Sequence, residues 1–245
     1  MVSKNQIKRI TGLHQKKFRS EHGLFIAEGF KVIQELFNSH YKIQEFYSTD
    51  AALQLDNATR PQLISEADLK KISCLKTPNQ CLAIFKITPP KPLPTGGLTL
   101  VLDDIRDPGN LGTIIRLCDW FGIEHLVCSE ETADVYNPKV IQATMGSIGR
   151  VNVVYTSLEN FLNNNRQPVY GAFMEGDPVY DSVLPQDAVL VMGNEANGVS
   201  AAVEALIQHK VSIPRFGRLQ KTESLNVATA TAILLSEFRR NINGK

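Results

Sequence analysis

From residue 98 onward, short apolar runs alternate with helical segments, and this alternation constrains the fold more than any other feature of the chain. The runs are rich in valine, leucine and isoleucine, which is typical of buried strands. Strands that are separated by helices pair in parallel, whereas antiparallel neighbours are usually joined by short turns. We therefore predict an α/β domain with a mostly parallel sheet and helices on both faces. The predicted strands are residues 98–102, 125–128, 151–155, 169–173, 188–192 and 211–213.

A proline-rich stretch, TPPKPLPTGG at residues 88–97, divides the chain. Proline and glycine at this density exclude both a helix and a strand ladder, so the stretch is typical of a linker. We predict a small α/β domain at residues 1–90, a linker at 91–97 and a larger α/β domain at 98–245. The elements predicted for the small domain are a basic helix near 3–20, strands at 24–27, 43–47, 63–64 and 82–87, and helices at 30–37 and 66–72.

Charge is distributed unevenly between the two predicted domains. Residues 1–95 carry a net charge of +6 and residues 96–245 a net charge of −5, although the whole chain is close to neutral at +1. A basic segment joined to an acidic domain favours contact with a polyanion such as RNA. A solvated basic helix has the same composition, and charge alone does not separate these interpretations. The basic side chains of the first 22 residues are Lys4, Lys8, Arg9, Lys16, Lys17 and Arg19.

Composition excludes several classes of protein. With 43% hydrophobic and 21% charged residues, the chain has the profile of a soluble globular protein. No apolar run approaches the roughly 20 residues that a membrane-spanning helix needs, and the start, MVSKNQIKRI, lacks the apolar core of a signal peptide. We therefore predict a cytoplasmic protein without a membrane partner. The cysteines form no CxxC pair and the histidines are scattered, so no metal site is predicted.

The first unusual loop follows the strand at 98–102 and reads DDIRDPGNLGTIIR. Its proline and glycines permit a tight turn at a helix start, and Asn110 and Arg116 lie in or beyond that turn. Ligands collect at the carboxyl ends of parallel strands, so these residues are candidates for a site. A plain strand-to-helix turn needs the same glycines, and the loop lacks the GxGxxG spacing of a dinucleotide site.

Two further loops of the same kind follow later strands. GNEANGVS begins at Gly193 and places Glu195 beside a buried strand end, where an unpaired carboxylate is costly. The alternative is a turn in which Glu195 caps the next helix. In the third loop, Ser224 opens an apolar helix and is a candidate N-cap, while Asn226 in its first turn needs a hydrogen-bond partner. Such residues support positioning and electrostatics rather than covalent catalysis.

These loops contain three motifs in a fixed order. They are Asn-x-Gly-x-x-x-Arg, then Gly-Asn-Glu-x-x-Gly, then Ile-Pro followed by Ser-Leu-Asn-Val. The matching residues are Asn110, Gly112 and Arg116, then Gly193, Asn194, Glu195 and Gly198, then Ile213, Pro214 and 224–227. With these motifs the sequence resembles the SpoU (TrmH-like) family of RNA 2′-O-ribose methyltransferases, in the SPOUT class. The segment FIAEGFKVIQELF and the strand CLAIFKI extend the resemblance to the small domain.

The resemblance implies a fold, a donor and a partner. It implies S-adenosylmethionine as methyl donor, held in a C-terminal trefoil knot, and a homodimer formed through the knotted domain. The small domain is then the RNA-binding domain, and the substrate is ribosomal or transfer RNA. A 2′-hydroxyl target requires RNA, because DNA lacks this group. Carried over to this chain, the donor-binding residues are Met192, Gly193, Gly198, Ile213 and Leu225.

The resemblance implies that the arginine of the first motif, Arg116, activates the nucleophile. A free guanidinium holds its proton so strongly that it acts as a base only when its pKa is greatly lowered. The alternative, which is our hypothesis, is that Arg116 binds the phosphate beside the target ribose and orients the 2′-hydroxyl. In the same hypothesis Glu195 holds Arg116 and Asn110, and Ser224 and Asn226 fix the hydroxyl or the loop. One departure is the longer spacing between Gly217 and Ser224, which includes Arg218 and Lys221.

Two other functions compete with methyl transfer. A non-catalytic RNA-binding or ribosome-assembly protein with the same fold does not require Arg116, Glu195 and Asn226, all of which this chain retains. A nucleotide-dependent oxidoreductase is disfavoured because the dinucleotide fingerprint is missing.

Overall fold

The computed structural model describes residues 2–93, 96–217, 219 and 224–240. The helices are α1 (Lys4–Gly12), α2 (Lys16–His22), α3 (Phe30–Phe37), α4 (Glu66–Ile72), α5 (Pro108–Trp120), α6 (Pro138–Thr144), α7 (Leu158–Asn163), α8 (Ala201–Glu204) and α9 (Val227–Arg240). The strands are β1 (Leu24–Glu28), β2 (Ile43–Ser48), β3 (Gln62–Leu63), β4 (Cys81–Lys86), β5 (Leu98–Leu102), β6 (His125–Cys128), β7 (Asn152–Tyr155), β8 (Val169–Pro178), β9 (Ala188–Met192) and β10 (His209–Ser212).

The chain forms two compact units. The first contains the residues up to Pro89 together with Asp134–Arg150, and the second contains Pro90–Ala133 and the residues from Val151 onward. The sequence division at 91–97 did not place residues 134–150 with the small domain. An alternation of strands and helices predicts that a helix lies between β6 and β7, but it does not predict which surface that helix covers.

The first unit is built on a mixed sheet with the strand order β1-β4-β2-β3. β4 pairs antiparallel with β1 and β2, and the short β3 pairs parallel with β2. One face packs against α1 and α4 around a core that includes Ile10, Leu13 and Tyr47. Ser3 and Ser65 begin these two helices by accepting hydrogen bonds from backbone N–H groups of the first turn.

Residues 134–150 are fixed to the first unit by a buried ion pair and by α6. Arg19, only 2% exposed, donates from Nε and Nη2 to Asp134 Oδ2 at 3.0 and 2.5 Å, and from Nη1 to the carbonyl oxygen of Leu13 at 2.9 Å. α6 packs on β1, and a Cβ on Gly146 would lie 2.4 Å from the Cβ of Glu35. The segment is therefore an integral part of this unit.

The second unit contains a sheet in which every pair of neighbouring strands is parallel, with the order β10-β8-β9-β5-β6-β7. This confirms the predicted parallel α/β fold. β5 and β9 are neighbours and Leu102 pairs with Met192, so the loops after these strands start side by side. α5 and α9 pack against each other. The trefoil knot stays a prediction.

Several element boundaries differ from the sequence expectations. The single basic helix near 3–20 is two helices, α1 and α2. β8 continues to Pro178, and β10 covers 209–212 rather than 211–213. The last helix begins at Val227, so Asn226, rather than Ser224, occupies its N-cap position. Across the described ranges, no helix is both long and apolar enough to cross a membrane.

Candidate active site

The loop after β5 places Asn110 at the start of α5. Asp107 caps this helix, because its Oδ1 accepts a hydrogen bond from the backbone N–H of Asn110 at 2.8 Å, and Pro108 occupies the first turn. Asp104 has a φ of +59°, which is uncommon for a residue other than glycine. Its N–H donates to Ser129 Oγ at 3.0 Å, and its carboxylate accepts from Arg106 Nε at 2.7 Å. These contacts fix the loop that presents Asn110.

The loop after β9 is a tight turn that requires glycine at both ends. Asn194 and Gly198 exchange two backbone hydrogen bonds of 2.9 and 2.8 Å, and Gly198 has a φ of +69°. A Cβ on Gly193 would lie 2.4 Å from the carbonyl carbon of Gly198, so no side chain fits there. The turn therefore holds the backbone from Gly193 to Gly198 in one conformation.

The side chain of Asn194 joins this turn to the loop after β5. Its Oδ1 accepts hydrogen bonds from the N–H groups of Ala196 and Asn197 at 2.8 and 3.1 Å, and its Nδ2 donates to the carbonyl oxygen of Asp104 at 2.7 Å. The buried Asp103 makes a second connection, since its Oδ2 accepts from the N–H of Ser200 at 2.7 Å. Asn194 belongs to the second motif, whereas no pattern in the sequence marks Asp103 or Asp104 as supports of the site.

A chain of polar side chains crosses the three loops. Asn110 Nδ2 donates to Glu195 Oε1 at 2.5 Å, and Asn110 Oδ1 accepts from Asn226 Nδ2 at 2.9 Å. Asn226 Oδ1 in turn accepts from the N–H groups of Ala228 and Thr229 at 3.0 and 3.3 Å, which caps α9. Both polar atoms of the Asn110 amide are thereby engaged, and Glu195 accepts from Asn110 rather than capping the next helix.

Arg116 lies away from this polar chain. It follows Asn110 by six residues on α5, which places it about 9 Å along the helix axis and about 240° around it. Its side chain is exposed. Glu195 was expected to hold both Asn110 and Arg116, and the structure brings it to Asn110. Within the described part of the chain, no hydrogen bond or ion pair joins Arg116 to Glu195.

The residues assigned to the methyl donor surround one cavity in the second unit. Its volume is about 1460 Å³, above the roughly 300–1,000 Å³ of most small-molecule sites. Met192, Gly193, Gly198, Ile213 and Leu225 all line it, as does Ser224. Leu225 is 45% exposed and Ile213 half-buried, so apolar surface is available for an adenine ring beside the backbone of the Gly193–Gly198 turn. The cavity therefore suits S-adenosylmethionine. Arg218 and Lys221 lie outside the described residues.

The buried cysteines of this unit and the possible metal ligands do not add a reactive group to the site. Burial raises the pKa of the Cys118 thiol on α5 and of the Cys128 thiol on β6 well above the usual range, so neither is a nucleophile at neutral pH. The residues that the structure describes contain no group of three or more His, Cys, Asp or Glu side chains arranged to hold a metal ion.

The basic side chains of the first unit differ in their surroundings. Lys4, Lys8, Lys16 and Lys17 are exposed on α1 and α2. Arg9 is exposed but paired, with Nη2 2.5 Å from both carboxylate oxygens of Glu45. Arg19 is buried against Asp134, so its guanidinium is not accessible to an RNA phosphate. The predicted RNA-contacting set thus reduces to four exposed lysines and a paired arginine.

Each of the two units contains a match to a known protein family. The SpoU rRNA methylase family matches residues 97–236, and the MRM3-like substrate-binding domain matches residues 4–83. These two matches, to a parallel α/β unit with this cavity and to the unit before it, identify the class of protein as an RNA methyltransferase. The chain belongs to the SpoU rRNA methylase family.

Similar proteins cover almost the whole chain. The 23S rRNA (guanosine(2553)-2′-O)-methyltransferase RlmP of Bacillus subtilis is 31% identical, with 97% of both chains covered. A TrmH-family protein from Porphyromonas gingivalis has a solved structure with a TM-score of 0.88, 39% identity and coverage of 98% of this chain and 99% of that one. An AdoMet-bound rRNA methyltransferase from Sinorhizobium meliloti gives a TM-score of 0.85 at 29% identity, covering 99% and 97%.

These comparisons confirm the predicted family, enzyme class and methyl donor. The protein is an RNA 2′-O-methyltransferase that uses S-adenosylmethionine. They favour the enzyme over the non-catalytic RNA-binding alternative. The roles of individual site residues stay predictions.

Proposed function

We propose that the protein methylates a ribose 2′-hydroxyl of 23S ribosomal RNA and does so in the cytoplasm as a homodimer. The observation that carries this proposal is the polar chain Glu195–Asn110–Asn226, which lies beside a cavity suited to S-adenosylmethionine. The choice of 23S rRNA rests on the similarity to RlmP of Bacillus subtilis, which is named for that substrate.

The polar chain positions groups rather than forming a covalent intermediate. When bound, S-adenosylmethionine supplies a methyl group that is already activated by its sulfonium, so orientation accounts for much of the acceleration. Asn226 holds the Asn110 amide in one orientation, and Asn110 holds the Glu195 carboxylate at the cavity. Ser224 lines the same cavity. In this proposal it contacts the hydroxyl acceptor. Arg116 binds the phosphate next to the target ribose and thereby orients the 2′-hydroxyl, whose proton leaves late in the reaction.

The exposure of Arg116 supports a dimeric site. Thr113, Arg116 and Trp120 follow one another at helical spacing on the exposed face of α5, and Trp120 is 84% exposed. An exposed tryptophan of this kind is typical of protein interfaces. We infer that a second copy covers this face through the knotted domain, so that Arg116 of one protomer completes the site of its partner.

The first unit binds the RNA substrate. It carries the match to the MRM3-like substrate-binding domain, and the exposed lysines of α1 and α2 provide a basic surface. Phosphate contacts of this kind give affinity and positioning but little base selectivity.

Replacing Lys4, Lys8, Lys16 and Lys17 with glutamine tests this role. If all four contact phosphates, the slope of log affinity for single-stranded RNA against log salt becomes less steep by about 3, at roughly 0.7 per contact. KM for RNA rises, while single-turnover chemistry at saturating RNA stays close to wild type, because distant cations bind ground and transition states alike. The matched control replaces the exposed Lys31, Lys70, Lys76 and Lys86 of the same unit. An unchanged salt slope in the α1 and α2 variant would mean that these lysines are only a solvated surface.

The function itself is tested by methyl incorporation. Purified protein is incubated with labelled S-adenosylmethionine and 23S, 16S or transfer RNA, and ribose methylation is mapped in RNA from a deletion strain. We expect label in 23S rRNA and loss of one 2′-O-methyl mark in the deletion strain. Donor binding without transfer to any RNA would favour the non-catalytic alternative, and transfer to another RNA would overturn the assignment to 23S rRNA.

A further inference from the structure

The register between β8 and β10 shifts at the wall of the donor cavity. β8 pairs with β10 at Gly171 and Lys210 and next at Asp177 and Val211, so residues 172–176 of β8 have no paired position on β10. A β-bulge usually inserts a single residue. The segment 172–176, called the β8 excursion below, is therefore an unusually large irregularity within the strand.

Both ends of the β8 excursion are held by specific contacts. A Cβ on Gly176 would lie 2.7 Å from the carbonyl oxygen of Lys210, and Ser212 Oγ donates to the carbonyl oxygen of Gly176 at 2.9 Å. Near the other end, Lys210 Nζ lies 4.6 Å from the ring centre of Phe173. The contacts with β10 thus define the path of the excursion.

The β8 excursion presents a carboxylate to the cavity. Three glutamates line the cavity: Glu195, Glu204 and Glu175. Glu195 is engaged by Asn110, and Glu204 is paired with Lys210 at 2.5 Å. The exposed Glu175 has neither a hydrogen bond nor an ion pair with any described residue. It is thus the lining carboxylate that is available to a cationic ligand.

S-adenosylmethionine is such a ligand, because it carries a sulfonium and an α-ammonium group. Its adenosine end is assigned to the loops that contain Gly193, Ile213 and Leu225, and the α-ammonium group of its methionine end requires an anionic partner. We propose that Glu175 binds the α-ammonium group of the donor and that the β8 excursion positions this carboxylate. The proposal rests on the use of S-adenosylmethionine by this site.

Three ligands measured by calorimetry on the full-length protein test the proposal. S-adenosylmethionine has both cationic groups, S-adenosylhomocysteine has only the ammonium, and 5′-deoxy-5′-methylthioadenosine has neither. Because the hydrogen bond to the ammonium loses its negatively charged acceptor, Glu175→Gln should weaken binding of the first two about 10-fold and of the third less than about 2-fold. Glu175→Lys should widen this difference. Glu130→Gln, which removes an exposed carboxylate after β6, is the control and should bind all three like wild type.

The pattern of losses distinguishes the alternatives. Equal weakening of all three ligands would place Glu175 on the ribose and overturn the proposal, and weakening of S-adenosylmethionine alone would place it at the sulfonium, with the same consequence. Unchanged binding of all three would also overturn it. Wild-type methyl transfer is measured in parallel, so that a failure of the proposed RNA substrate is seen separately from a failure of Glu175 to bind the ammonium.

Discussion

Arg116→Ala is expected to lower kcat for methyl transfer by about 100-fold to 1,000-fold, the usual cost of removing one preorganised charged or hydrogen-bonding group from a transition state. Affinity for S-adenosylmethionine should change by less than about 2-fold, because Arg116 is not among the residues that line the donor cavity. Single-turnover kinetics with RNA and calorimetry with the donor measure the two effects separately. Arg116→Lys keeps the charge but loses the planar fork, so its activity should be intermediate.

Two controls accompany this variant. Arg166→Ala removes another exposed arginine of the same unit and should leave both quantities unchanged. Sedimentation of Arg116→Ala determines its oligomeric state, since Arg116 shares a helix face with Trp120. If donor binding fell as severely as kcat in a variant that keeps its oligomeric state, a role for Arg116 on the RNA side would be wrong.

Asp134→Asn is expected to destabilise the first unit by about 3–5 kcal/mol, because it leaves the buried guanidinium of Arg19 without its counter-charge. A chain of two units need not unfold in one step, so global denaturation is a poor measure. Amide hydrogen exchange in β1 and α6 reports the local opening free energy, and protection there should fall accordingly.

Comparison with an exposed ion pair shows how much of the expected destabilisation comes from burial of the charges. Glu35→Gln breaks the contact between Arg150 and Glu35, whose side chains are 48% and 40% exposed, and should cost less than about 1 kcal/mol. Replacing both buried partners, as Arg19→Met with Asp134→Leu, should recover most of the protection because no unpaired charge remains. Protection in Asp134→Asn equal to that in Glu35→Gln would contradict the structural role of the buried pair.

A fragment that ends before residue 134 lacks Asp134 and is expected to fold poorly, because the buried guanidinium of Arg19 then has no counter-charge.

The need for partners in the site could be predicted from the sequence. Glu195 follows a buried strand and Asn226 opens an apolar helix, and a polar side chain in such a place needs a partner. Asn110 was selected from the turn that begins α5. The structure supplies those partners from one another, across 85 and 116 residues of sequence. No local pattern encodes which of several polar loops meet, so the contact between Asn226 and Asn110 became visible only in the tertiary structure.

Arg19 shows where sequence reasoning failed. Lys16 and Lys17 on the same helix are basic and exposed, and no local pattern distinguishes Arg19 from them. Its burial depends on Asp134, which is 115 residues away and lies in a segment that sequence division assigned to the other domain. The β8 excursion was not predicted from the sequence either, because its first residues continue the apolar pattern of the strand.

The sequence alone determined the parallel α/β architecture, most of the strands and helices of both units, and the loops that carry the motifs. Those features depend on residue periodicity, capping and turn chemistry, which act over a few neighbouring residues. Only the tertiary structure decided that residues 134–150 pack with the first unit, that Arg19 is buried, and that Asn226, Asn110 and Glu195 form one chain. Each of these depends on contacts between distant segments, whose free energies are determined by burial and geometry that exist only once the chain has folded.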